Sequence, residues 1–113
     1  MGGQMPLLDQ PVLDRLTADV GQESAEFLVS SLKQEIEKTG SALAQCASEG
    51  DLEQLEIQAH ALKSAARSFG ALRLGEACFA LEEAARADRA GEIDGLMVRF
   101  RSVSAATLEA FGS

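Results

Sequence analysis

Ala59-His60-Ala61-Leu62-Lys63-Ser64-Ala65-Ala66-Arg67-Ser68-Phe69-Gly70-Ala71 is the stretch on which the reading of this chain turns. Leu52, Leu55, Ala59, Leu62, Ala66 and Phe69 recur at alternating steps of three and four, which lines them along one stripe of a helix and makes that stripe the buried face. His60, the single histidine in 113 residues, falls about 130° from the stripe's centre at roughly 100° per residue. Its neighbours on that side are Glu53, Glu56, Ile57, Lys63, Ser64 and Arg67. The pattern therefore predicts a helix that packs on one side and presents an imidazole to solvent on the other.

Lys63 and Arg67 follow His60 by three and seven residues, so both cations project from the imidazole's own side, with the small Ser64 between them. Such a face suits an anion held beside a ring nitrogen. A neutral imidazole is a competent nucleophile, and a phosphoryl group on it would bring negative charge that Lys63 and Arg67 could partly offset. Glu53 and Glu56, on the N-terminal side of the ring, tilt the anion towards the cations.

These residues resemble the signature of histidine-containing phosphotransfer (HPt) domains of multistep two-component signalling. There a helix carries His-x-Leu-Lys-Gly/Ser and then a Gly-Ala pair; here His60-Ala61-Leu62-Lys63-Ser64 is followed by Gly70-Ala71. The resemblance extends over nearly the whole chain, and Ser64 departs only from the commoner glycine. It implies a phosphocarrier in a phosphorelay: His60, through Nε2, takes a phosphoryl group from an aspartyl phosphate on one receiver domain and passes it to an aspartate on another. The receiver, on the same resemblance, supplies the Mg²⁺ and the acidic pocket, and this chain binds no cofactor. The implied partners are receiver domains of response regulators and of hybrid sensor kinases.

Outward from this helix, the same periodicity continues. Asp9 or Gln10 can cap a short helix with Pro11 in its first turn, ended by Gly21. From about 22 to 49, Ala25, Leu28, Val29, Leu32, Ile36, Leu43 and Ala47 share a stripe, interrupted by Gly40, which marks a bend or a close helix contact. Gly50-Asp51 combines a left-handed stop with an N-cap for the histidine helix, with Gln54 completing a capping box. Gly70 is a structural turn. A fourth helix is expected from about 71 to 89, with Leu74, Ala77, Cys78, Leu81 and Ala85 inward and Gly91 as its stop. Ile93, Leu96, Met97, Phe100, Val103, Thr107 and Phe111 mark the last, from about 92 to 111. Long amphipathic helices joined by short connections pack antiparallel to their neighbours. The expected fold is all-α: an up-down-up-down four-helix bundle over residues 9–113 with an additional short N-terminal helix. Residues 1–8 carry no pattern and read as a disordered start or a cloning remnant.

Composition narrows the function. One domain of this length has no room for an ATP-binding kinase beside a phosphoacceptor bundle, so the reading is a carrier and not an enzyme. A net charge of −8 and a pI near 4.5 exclude the basic surface that nucleic acid requires. No apolar run reaches the roughly 20 residues needed to span a bilayer, and a secretory leader pattern is lacking. The expectation is a cytoplasmic monomer.

Rival readings remain. His60 with Glu53 and Glu56 could hold a metal ion, but a solvated acidic edge is the simpler account beside two cations. Lys63 could be an ordinary exposed lysine paired with Glu56 or another acid of the helix face. Ile57 sits on the histidine side, where an apolar residue suits a partner-docking patch shared with Ser64 and Arg67. Glu82 and Glu83 diverge by about 100° and make poor partners for acid–base chemistry. Cys46 and Cys78 read as reduced thiols of the core. The alternatives to a carrier are a receiver-docking module that accepts no phosphate, and an enzyme using His60 as a general base oriented by Glu56.

Overall fold

A computed structural model describes residues 5–112. It contains five α-helices: α1 (Gln10–Val20), α2 (Gln22–Glu49), α3 (Leu52–Ser68), α4 (Leu72–Arg86) and α5 (Ile93–Ala110). Helices α2 to α5 form a ring in which each packs on its neighbours in sequence, and α5 closes back onto α2. The tightest association is between α3 and α4. No strand occurs among the described residues, and none of their helices is long and apolar enough to cross a membrane.

The stripes meet in one core. Leu55, Ala59, Leu62 and Ala66 of α3 join Leu32, Ile36 and Leu43 of α2, Leu74, Ala77, Cys78 and Leu81 of α4, and Ile93, Met97 and Phe100 of α5. Alanines on α3 and α4 let the two backbones approach, while the large side chains of α2 and α5 fill the opposite side. Gly40 of α2 faces α5: a Cβ placed there would lie 3.5 Å from the Phe100 ring, in ordinary van der Waals contact. Helix α1 buries no residue fully and lies against α2 as a lid.

Caps set the boundaries. Gly50 adopts φ 70° at the end of α2, and the Asp51 carboxylate accepts from the Gln54 backbone N–H at 3.1 Å, starting α3 as the sequence predicts. The end of α4 differs from expectation. The helix stops at Arg86, and Asp88 takes the left-handed conformation at φ 60°. The Asp88 and Arg89 N–H groups then donate back to Ala85 and Ala84. Aspartate tolerates this conformation because its short side chain crowds the backbone little. Gly91 instead lies in a 3₁₀ turn, Ala90–Glu92, that leads straight into α5.

The first residues also differ. Residues 1–4 lie outside the described part, but Leu7 to Asp9 are ordered into the fold. The Leu72 N–H donates to Leu7 O at 3.0 Å and the Asp9 N–H to Gly70 O at 2.7 Å, and Leu8 packs on the core. Leu8 and Ala71 thus form an isolated antiparallel bridge across the α3–α4 connection. Asp9 stands at the N-cap position of α1 without a side-chain cap hydrogen bond.

Candidate functional site

Helix α3 carries His60 with its side chain 60% exposed, as the helical period predicts. The ring is not free on both sides, however. Nδ1 lies 2.7 Å from Glu82 Oε2 on α4, and since a carboxylate only accepts, the ring N–H donates there. Among the described residues Nε2 takes no protein hydrogen bond. The tautomer is thereby fixed, with the lone pair on the nitrogen that faces outward.

Glu82 is the residue that the sequence reading set aside, and it is the centre of the site. Its side chain is 2% exposed. Oε1 pairs with Lys63 Nζ at 2.6 Å, while Oε2 receives both His60 Nδ1 and, at 2.9 Å, Arg86 Nη2. Burial pushes this carboxyl up, but the bonds from Lys63 and His60 outweigh burial and hold it below the usual carboxylate range. An unpaired charge at this depth would be untenable, and the surrounding cations make it stable. Cys78, one turn earlier on α4, has its thiol pushed up to about 12 by burial and by the Glu82 charge, so it stays neutral.

The signal for Glu82 was present in the sequence. It follows Cys78 by four residues and precedes Ala85 by three, so it falls on the inward stripe of α4. An acid on an apolar stripe needs a partner, and the partners come from α3.

Lys63 is where the period puts it, and it pairs with the buried acid of α4. Its side chain is 13% exposed and its ammonium sits on Glu82, with the Phe79 ring 5.3 Å away. It does not pair with Glu56, which instead accepts from Arg86 Nε at 3.2 Å. Arg67 does not join the imidazole at all. Its guanidinium lies 3.5 Å from Glu76 and 5.8 Å from the Phe79 ring centre, and its stem crosses α4 where Gly75 leaves room. Phe79 is 39% exposed between these two cations and was not singled out in the sequence, although it lies off the α4 stripe.

Ile57, 51% exposed, and Ser64 remain on the histidine side of α3. With Glu56, His60, Glu82 and Arg86, Ile57 lines an open groove of about 320 Å³ beside the ring. Gly70 adopts φ 72° at the corner after α3, and a Cβ there would come within 3.0 Å of Asp9 O. Among the described residues no group of three or more His, Cys, Asp or Glu gathers as a metal site, and Glu56 is occupied by Arg86.

Comparison with known proteins gives three concordant matches. Residues 23–110 match the Hpt domain family. The phosphorelay protein LuxU of Vibrio harveyi is 31% identical over 86 residues, covering 76% of this chain and 75% of LuxU. The crystal structure of histidine-containing phosphotransfer protein B (HptB) from Pseudomonas aeruginosa PAO1 superposes with a TM-score of 0.90 at 25% identity, covering 96% of this chain and 93% of HptB.

Proposed function

The chain belongs to the Hpt domain family, and from that premise we propose that His60 is its phosphoryl-accepting residue, loaded from an aspartyl phosphate of one receiver domain and unloaded onto an aspartate of another. The protein is a histidine phosphotransfer protein of the phosphorelay type. The observation that carries the assignment of His60 is the division of its ring: Nδ1 is committed to a buried carboxylate while Nε2 is bare and outward.

In the loading step the Nε2 lone pair forms a bond to phosphorus, the P–O bond of the acyl phosphate breaks, and the receiver's carboxylate leaves. The ring keeps its Nδ1 proton and gains positive charge, which Glu82 stabilises at 2.7 Å. In unloading the same bonds exchange in reverse, and the ring returns to its neutral tautomer. Lys63 compensates Glu82, so the acid can remain charged and buried while the imidazole changes state. We assign the Mg²⁺ of the transfer to the receiver, as membership of the family implies. Ile57, Ser64, Arg67 and Phe79 form the surface around the ring on which a receiver would seat.

The test is to mix the chain with a receiver domain carrying phosphoaspartate. Acid-labile, base-stable phosphate should appear on the wild type and be absent from His60→Gln. Label that persists in His60→Gln would overturn the assignment, and tight binding with no transfer would replace the carrier by a docking module.

A further inference from the structure

Arg86 occupies a place at the site that the carrier reading leaves unused. Its guanidinium is triangulated by three acids on two helices: Nε donates to Glu56 Oε2 of α3 at 3.2 Å, Nη2 to Glu82 Oε2 at 2.9 Å, and Nη1 to Glu83. A rigid planar fork held this way has little freedom to turn. Its Nη2 shares one oxygen with His60 Nδ1, and that oxygen has only two lone pairs.

We infer that Arg86 is a positioning residue for His60: by taking one lone pair of Glu82 Oε2 it aims the other at Nδ1, and by drawing off part of that oxygen's charge it sets the pH below which the ring stops accepting phosphoryl groups. This rests on the reading of His60 as the acceptor. The sign follows from the surrounding charges. Glu56 on α3 and Glu82 and Glu83 on α4 favour a second proton on the ring, whereas Lys63 on α3 and Arg86 on α4 oppose it. Neutral Cys78 contributes nothing, and among the described residues the ion-pair partners of Glu82 and Arg86 all come from α3 and α4. Removing Arg86 therefore favours the doubly protonated, non-nucleophilic ring on two counts, because the charge of Glu82 is no longer shared and that of Glu56 is released.

The experiment uses phosphoramidate as donor, which removes the receiver from the measurement. Nε2 bonds to phosphorus, the P–N bond of the zwitterionic donor breaks, and ammonia leaves with its own protons while the ring keeps Nδ1–H. Initial rates of His60 labelling are measured on the full chain between roughly pH 5 and 8, the range in which imidazoles titrate. Arg86→Gln should move the acid limb upward, slowing labelling about threefold at its acid end, the effect of a half-unit displacement, with the neutral plateau little changed. Arg86→Lys, which keeps the charge, should restore most of the displacement. Glu56→Gln should move the limb the opposite way, and it carries the test alone if melting curves show Arg86→Gln unfolded. Coincident limbs, or equal displacement in the Lys and Gln variants, would overturn the inference while leaving the carrier intact. A wild type that takes no label, or label surviving in His60→Gln, would sink the carrier reading instead.

Discussion

Glu82 gives the imidazole its orientation, and it also makes the fold sensitive to acid. Its carboxyl is held below the usual range because the bonds from Lys63 and His60 outweigh burial. A group with a lowered folded value contributes stability that is fully present above its unfolded value, about 4.3 for glutamate, and is lost as pH falls towards the folded value. The melting temperature of the wild type should therefore drop below about pH 4 more steeply than that of Glu82→Gln. Glu82→Gln should be the less stable of the two at neutral pH, since Lys63 loses its partner. Parallel melting curves across the acid range would show that the carboxylate's pairing adds nothing. For phosphoryl acceptance, Glu82→Ala should slow the rate roughly 10- to 100-fold, the scale on which partners that orient a functional histidine act. The glutamine variant should retain more, because its amide oxygen can still accept from Nδ1. His60 itself was legible from one helix, whose period alone points it outward. For Glu82 the α4 stripe shows the inward position but not the role, because that lies in a contact 22 residues away on another element, and charged residues are rarely fully buried.

At the scale of the elements, caps and apolar periods placed α1, α2 and α3 to within a residue or two, since glycine stops and an aspartate cap are local chemistry. The end of α4 escaped because Asp88 fills a left-handed position that glycine usually takes, and Gly91 is a decoy without positive φ. Gly40 separates two accounts of a mid-helix glycine. A Cβ there would meet the Phe100 ring at 3.5 Å, an ordinary van der Waals distance, so alanine fits without displacing the ring. Gly40→Ala should accordingly raise stability by about 0.5–1 kcal/mol through helix propensity and a less flexible unfolded chain. Chemical denaturation would measure it, and a loss of stability would mean that the added methyl group crowds the contact between α2 and α5.

Over the whole molecule, the core and the site share the same two helices, and Glu82 on the inward stripe of α4 joins them. The apolar stripes of α3 and α4 fill the interior, while His60, Glu56 and Arg86 lie on their outer edge around Glu82. Damage to the far side of the core should cost stability without touching the chemistry. Phe100, 1% exposed on α5, tests this: Phe100→Ala should lose about 3–5 kcal/mol. The molecules that stay folded should still take phosphate on His60 at the wild-type rate, measured well below the melting temperature. A matching collapse in the rate would show that ring placement depends on packing throughout the bundle. The corner between α3 and α4 carries a different consequence. Leu72 at the head of α4 gives its amide proton to Leu7, a residue well before the span matched to the family. Trimming the protein to the family span would thus untie the loop that keeps Glu82's helix in register with the histidine's, and faster amide exchange at Leu72 would be its first sign.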